Sequence, residues 1–252
     1  MSETVTLEAN GLDKHFGNLH VTWYVDLAVQ TGVIHALIGP NGAGKTTLLS
    51  QLSGELPPDS GTVLLDGVDI TDVGLSSRVD LGICRSFQTS SPFPDFTARE
   101  NVVLALLASE GRGMGLIRGG GSDQDHNRIA DDLLSDVGLD VDGSTPVPEL
   151  DHGAIRQLEI AMALATDPSI LLLDEPMAGL APGEVEGLAD LLGHIRSDHG
   201  IILVEHDMDV VFSLADRITV LSEGAVVASG TPNEIRDDDR VQELYLREGD
   251  PQ

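Results

Sequence analysis

Residues 39–47 read Gly39-Pro40-Asn41-Gly42-Ala43-Gly44-Lys45-Thr46-Thr47. An apolar run, Val33 to Ile38, precedes them, and an apolar-periodic segment, Leu48 to Leu52, follows. Strand, glycine-rich loop and helix in that order form the setting of a phosphate-binding loop. The glycines let the backbone curl so that several N–H groups converge on one point. The helix adds its positive N-terminal end. Lys45 brings a formal charge for the β- and γ-phosphates of a nucleotide, and the Thr46 hydroxyl is placed to ligate Mg²⁺. A glycine-rich turn alone would need neither the Lys-Thr pair nor the flanking apolar segments.

Working outward, residues 3–35 alternate apolar and polar in short runs broken by Asn10-Gly11 and Gly17-Asn18, which predicts antiparallel strands. Phe16 falls in a turn before the second strand; exposed there it could stack on a base ring, and buried it would serve the core. Thr62 to Gly67 reads as a strand into a turn, Ser76 to Asp80 as a short helix, and Ile83 to Phe87 as a strand ending at Gln88. A proline-rich loop follows, Ser91 to Phe96. Thr97 caps a helix with Glu100 at the capping-box position and Val102 to Ala108 as its body. Six glycines lie in the twelve residues Gly111 to Ser122, read as a flexible insertion. Gln124 to Val137 has helical periodicity, and Gly138 to Leu150 is a linker. Asp151-His152-Gly153 opens another helix. Residues 89–165 therefore read as a helical insertion into an α/β core formed by 1–88 and 166–252.

Ile170 to Leu173 is a buried strand ending in Asp174-Glu175-Pro176. Two carboxylates at a strand end are weak alone but carry weight beside a phosphate loop, where one reaches Mg²⁺ and the next can act as general base. Pro182 begins a helix to about Ser197. Ile201 to Val204 is a second buried strand, ending in Glu205-His206-Asp207, at a strand tip where ligands gather in open α/β sheets. A hairpin turns at Glu223-Gly224, and the remainder is helical and acidic.

Composition narrows the function classes. At 252 residues the chain can bury a large core. The net charge of −28 repels phosphate backbones, so broad nucleic-acid binding is excluded. The one cysteine, Cys84, excludes an internal disulfide. No apolar run approaches the length of a membrane span, and no signal-peptide pattern opens the chain, so a soluble protein linked to a membrane only through partners is expected. Asp outnumbers Glu 27 to 15, and the only lysines are Lys14 and Lys45 against twelve arginines. This is the composition expected of a salt-rich, halophilic interior, where a screening length of ~3 Å at ~1 M salt removes surface repulsion. A lysine kept in the loop of so lysine-poor a chain strengthens its functional reading.

These landmarks, in this order, resemble the nucleotide-binding subunit of ABC transporters over essentially the full length. Gly39 to Thr46 matches the Walker A loop, Ile170 to Asp174 the Walker B strand, and Glu175 its catalytic carboxylate. Gln88 matches the Q-loop, His206 the switch histidine, and Phe16 falls where the family places its base-stacking aromatic. Leu150 to Ala154 occupies the signature position. Phe87-Gln88-Thr89, the insertion after Ala108, Arg156 to Ala161, Ala178 to Leu180, Val204 to Met208, Gly230-Thr231-Pro232 and Val241 to Leu246 look like the branched-chain amino acid importer branch; urea and short-chain amide importers look similar. A soluble non-transport ABC ATPase is the rival from another class, but such proteins usually carry two cassettes or coiled coils. A P-loop kinase would not need Gln88, the signature-like helix start and His206 together.

The resemblance implies a P-loop NTPase α/β fold of the RecA-like type: a parallel-sheet core, an N-terminal antiparallel β-subdomain and an inserted α-helical subdomain. It implies ATP and Mg²⁺ as cofactors. Residues 39–47 would hold the phosphates, with Asp151 and Gly153 facing a partner's nucleotide. Thr46, Gln88 and Asp174 would serve the metal; Glu175, His206 and Gln88 would serve catalysis. The implied partners are membrane permease subunits, a second ATPase subunit and a solute-binding protein in the full system, with the chain peripheral on the cytoplasmic face of the cell membrane. Two departures stand out. The usual Leu-Ser-Gly-Gly-Gln is Leu150-Asp151-His152-Gly153-Ala154, and the aspartate expected after Walker B is Ala181. Both loops serve a site shared across a dimer, which favours a heterodimer over a homodimer.

Overall fold

The computed structural model describes residues 4–85, 92–111 and 124–248. Two long N-terminal strands, β1 (Thr6–Phe16) and β2 (Leu19–Gln30), pair antiparallel through a tight turn. Their alternating burial follows from the period of two in their sequences. Phe16 is the last residue of β1, paired with Leu19, rather than part of the turn, because the two residues Gly17 and Asn18 suffice to reverse the chain. With β4 (Ser60–Leu65) and β5 (Val68–Asp69) they form a four-stranded sheet of order β2-β1-β4-β5.

The second sheet has the order β10-β9-β3-β8-β7-β6, with β3 (Ile34–Ile38), β6 (Ile83–Arg85), β7 (Ile170–Asp174), β8 (Gly200–Val204), β9 (Arg217–Ser222) and β10 (Ala225–Gly230). Strands β3 and β6 to β9 run parallel and β10 is antiparallel to β9. β3, β7 and β8 are buried at every residue, which explains their unbroken apolar sequences: helices or the other sheet cover both faces. β3 sits between β9 and β8, so the loop leaving it stands at the middle of the sheet's C-terminal edge.

The helices are α1 (Lys45–Leu52), α2 (Leu75–Asp80), α3 (Ala98–Ser109), α4 (Gln124–Asp136), α5 (His152–Leu164), α6 (Pro182–Ile195), α7 (Met208–Leu214), α8 (Pro232–Arg236) and α9 (Asp239–Glu248). Thr97 caps α3 in a full capping box with Glu100. The stretch between α4 and α5 contains a short 3-10 turn, Val147–Glu149, and is pinned by a bridge between Thr97 and Pro146. Most of the glycine-rich insertion lies outside the described residues. Helices α3, α4 and α5 share one apolar cluster with α6 and one face of the parallel sheet: Val102, Leu134 and Leu158 join Leu171, Leu173 and Leu203. On the opposite face, α1 and the antiparallel sheet form a second cluster, including Leu12, Leu48, Val63 and Leu172. The glycine-rich loop is thus wedged where the two sheets meet.

Candidate functional site

The loop after β3 is seated directly on neighbouring backbone. Gly39 (φ 145°) and Gly44 (φ 100°) lie in the left-handed region. A Cβ on Gly39 would run into the Leu221 carbonyl, and one on Gly44 into the Val21 carbonyl. Glycine at these two positions is therefore a demand of packing as well as of chain direction. The loop closes on itself through the Ala43 N–H, which donates to the Pro40 carbonyl at 3.1 Å, and the Gly224 N–H donates to the Ala43 carbonyl at 3.1 Å. Buried Lys45 donates through Nζ to the carbonyls of Gly39 (2.6 Å) and Pro40 (3.0 Å).

Helix α1 begins at Lys45 on a glycine N-cap that has no side chain to offer its N–H groups, and its first turn contains no acid. By contrast α3, α5, α7 and α8 are capped by the side chains of Thr97, Asp151, Asp207 and Thr231. An uncapped and acid-free helix start suits an anion; α2 also starts on a glycine without a side-chain cap or an early acid, so the glycine-rich loop leading into α1 is what distinguishes this end. Asn41, Gly42 and Thr46 are exposed around it, with Thr47 half-buried.

The parallel order β3-β8-β7-β6 then sets the other tips beside that loop. At the end of β7, Asp174 Oδ2 accepts from Arg85 Nη2 at 2.9 Å, while its buried Oδ1 has no hydrogen-bond partner among the described residues. Burial pushes the Asp174 carboxyl above its usual range, opposed by the Arg85 charge and by the Thr46 hydroxyl. An orphaned carboxylate oxygen beside a threonine hydroxyl is an all-oxygen donor set with an unfilled valence, which fits a hard cation such as Mg²⁺. Next in the chain, Glu175 takes a positive φ of 49°, which costs of order 1–3 kcal/mol for a side chain without special dispensation. Its N–H donates to the Val204 carbonyl at 2.9 Å, tying the bend to the neighbouring strand.

At the end of β8, buried Glu205 accepts from the Met177 N–H (2.9 Å) and the His206 N–H (3.2 Å), and burial raises its carboxyl above the usual range. It braces the segment after Glu175 against the one that carries His206. The His206 ring is exposed, its Nδ1 3.8 Å from Glu205 Oε2. Gln88 lies outside the described residues; β6, which leads to it, is in place at the sheet edge.

The tip strand order brings the loop, Asp174, Glu175 and His206 to one edge. The same topology in solved proteins and the family model decide what this edge is. The description "ABC transporter" fits residues 24–178. The chain belongs to the ABC transporter ATPase family. It is 37% identical to the high-affinity branched-chain amino acid transport ATP-binding protein BraF of Pseudomonas aeruginosa, covering 96% of this chain and 98% of that one. The corresponding LivG of Escherichia coli K12 is 36% identical over the same shares. An ATP-binding cassette of an ABC transporter, solved in its ADP conformation, superposes with a TM-score of 0.85 at 26% identity, covering 99% of this chain and all of the other. This ABC ATPase binds and hydrolyses ATP. Among the described residues, no helix is long and apolar enough to cross a membrane.

Two expected elements stand apart from the strand tips. Phe16 is exposed at the end of β1, on the hairpin whose Val21 carbonyl underlies Gly44. Asp151 caps α5, its Oδ1 accepting from the Ala154 N–H at 2.8 Å. Gly153 lies against Glu184, whose carboxylate accepts from the Ala181 N–H at 2.6 Å; a Cβ there would meet Glu184 Oε1 at 2.5 Å. The capping pattern of Asp151 was legible in the sequence.

Arg85, Ser50, Glu55 and the bracing role of Glu205 were not. Arg85 Nη1 donates to Ser50 Oγ (2.7 Å) and Glu55 Oε2 (2.6 Å), so one guanidinium joins α1, the turn after it and Asp174. Nothing local marks it: Arg85 and Asp174 are 89 positions apart.

Proposed function

We propose that this ABC ATPase drives import of branched-chain amino acids, docked peripherally on permease subunits at the cytoplasmic face of the membrane. What carries this reading is near full-length identity of 36–37% to two proteins named for that transport, BraF and LivG. In the proposed cycle the loop amides and Lys45 bind the phosphates, and Phe16 stacks on the base. Thr46 and Asp174 would hold Mg²⁺, and Gln88 would serve the same ion; the ion would supply charge neutralisation at the phosphates. Glu175 accepts the proton of the water whose oxygen attacks the γ-phosphorus as the bond to ADP breaks. His206 orients that water and the γ-phosphate. Deleting the gene should abolish uptake of labelled leucine and leave urea uptake intact; the reverse result establishes the urea/amide reading.

The departures at Asp151, Ala154 and Ala181 favour pairing with a second, different ATPase subunit. A carboxylate directed at a partner's triphosphate would repel it in a poorly screened site. The purified chain alone should dimerise weakly with ATP, and Asp151→Ser with Ala154→Gln should strengthen dimerisation. Full ATP-dependent homodimerisation of the unmodified chain, unchanged by the double substitution, leaves Asp151 as a helix cap only. The acid-rich composition we read as salt adaptation: melting temperature should rise from ~0.1 M to ~3 M KCl as the screening length falls from ~10 Å to below ~3 Å. A flat series overturns it.

A further inference from the structure

The hairpin tip of β1 and β2 gathers three metal-ligating side chains. Asp13 and His15 lie two positions apart on β1, where the pairing with β2 shifts register, and His20 on β2 is the cross-strand partner of His15. Asp13 Oδ1 is 3.1 Å from His15 Nδ1, and Asp13 Oδ2 is 2.8 Å from His20 Nε2. The two imidazoles stack with centroids 3.9 Å apart and planes 16° apart, so one ring must turn out of the stack for both lone pairs to point at one ion. One donor atom from each of the three residues lies within 4.8 Å of the other two. Asp13 is buried, with only 8% of its side chain exposed. Its neighbour Lys14 turns instead to the Pro57 carbonyl and Asp59. The buried carboxylate is therefore matched by two imidazoles, a pairing that a cation between them would strengthen.

We propose that Asp13, His15 and His20 bind a divalent transition-metal ion of the Zn²⁺ class. Two imidazole nitrogens and one carboxylate oxygen are the donors that borderline ions prefer, whereas Mg²⁺ selects oxygen alone. Tetrahedral bonds of ~2.1 Å place ligand atoms about 3.4 Å apart. The Asp13–imidazole separations run through different carboxylate oxygens, 3.1 Å from Oδ1 to His15 and 2.8 Å from Oδ2 to His20, so a single ligating oxygen is near that value for one imidazole and must approach the other. The widest separation in the trio closes by at most about 1.4 Å. The His15 side chain, 46% exposed, is free to make that turn. Neither histidine need lose a proton: each moves it to its other ring nitrogen, and the freed lone pair takes the metal. Asp59 Oδ2 lies 3.8 Å from His15 Nδ1, but it accepts the His15 N–H at 2.7 Å while Oδ1 takes Lys14. The fourth position would be open to solvent. A bound ion would clamp the hairpin next to Phe16. That consequence rests on the base-stacking reading of Phe16; the metal site does not.

The test uses the purified full chain, stripped with EDTA and kept in excess Mg²⁺ and KCl to saturate its surface carboxylates. Titration with CoCl₂ should give one equivalent of visible d–d absorption of tetrahedral intensity, displaced by ZnCl₂. His15→Gln and His20→Gln, shown folded by circular dichroism, should each weaken Co²⁺ binding about 100-fold or more, since even outer-shell changes at such sites cost ~10–100-fold. His194→Gln, on an exposed helix position, should leave it unchanged. Absence of a saturable band, or a band indifferent to His15 and His20, overturns the proposal. No nucleotide enters the readout, so its outcome is independent of the transport reading.

Discussion

The two ends of helix α1 are built on opposite plans. At its C-terminal end the carbonyls of Gln51 and Leu52 are taken by Arg78, whose guanidinium is fully buried. Arg78 also donates to the carbonyls of Val73, Ile70 and Thr71, giving five hydrogen bonds of 2.7–3.0 Å. Every donor of that group has an acceptor, and the network is closed. At the N-terminal end the helix has no side-chain cap, and among the described residues a buried oxygen of Asp174 and the Nε of Arg85, which bridges to it, have no partner. Closed networks hold shape; networks left incomplete inside a fold mark where a ligand completes them. The same eight-residue helix is anchored at one end so that it can stay open at the other.

The largest test of this contrast is chemical and lies at the open end. Glu175→Gln should keep ATP binding, read with a fluorescent nucleotide, while phosphate release falls about 10²–10⁴-fold, since the amide cannot accept a proton. Turnover near that of the unmodified protein would mean another group is the base. At the closed end, Arg78→Met should cost about 3–5 kcal/mol by stranding buried carbonyls, a fall in melting temperature of roughly 10 °C, with turnover per folded molecule unchanged. A melting curve that does not move would show that the anchor is dispensable.

Arg85 joins the two plans, so Arg85→Leu should touch both. Loss of its charge raises the Asp174 carboxyl further above its usual range. The acidic limb of the pH–rate profile should then move to higher pH, with kcat down about tenfold, equivalent to about 1.4 kcal/mol. Arg85→Lys should restore the limb, because it keeps the charge, but not the whole rate, because it loses the forked geometry. An unmoved limb would reduce Arg85 to packing.

The smallest effect tests a third buried cation-forming group, remote from both ends. His35 lies between β2 and β9, hydrogen-bonded to the Ala28 carbonyl (3.0 Å) and the Thr219 hydroxyl (2.8 Å). Burial lowers it to about 4, aided against the Ala28 bond by the Arg217 charge. Its unfolded form takes up a proton more readily than its folded form. The stability it contributes is thus complete above pH ~6.5 and lost as pH falls toward about 4. Melting temperature between pH 7 and 4.5 should fall less steeply in His35→Gln, by about 5 °C over the range. Parallel slopes would show that other groups govern acid sensitivity.

The legibility of the site follows the same division. The loop Gly39 to Thr46 was readable because its curl is set by consecutive residues, so the requirement is local. Asp174-Glu175 and Glu205-His206 were readable because a buried strand must end where its polar residues begin. The cap at Asp151 and the capping box at Thr97 were equally local. Phe16 was placed in a turn rather than at a strand end because pattern reading does not resolve a two-residue reversal. Arg78 and Arg85 carried no signal, since an isolated arginine looks the same whether it is solvated or buried.

Sequence by itself determined the chemistry available: a curled loop with one of only two lysines, two carboxylates after an apolar run, and a histidine after another. Only tertiary structure decided that these meet. β3 pairs with β8 from Ile34 to Ile201, and β8 with β7 from Ile170 to Gly200, so tips far apart in the chain become neighbours. The physical reason is that parallel pairing and the burial of both sheet faces are collective: no single strand encodes its neighbour, and the order is chosen by which arrangement hides the most apolar surface while leaving no backbone group unpaired.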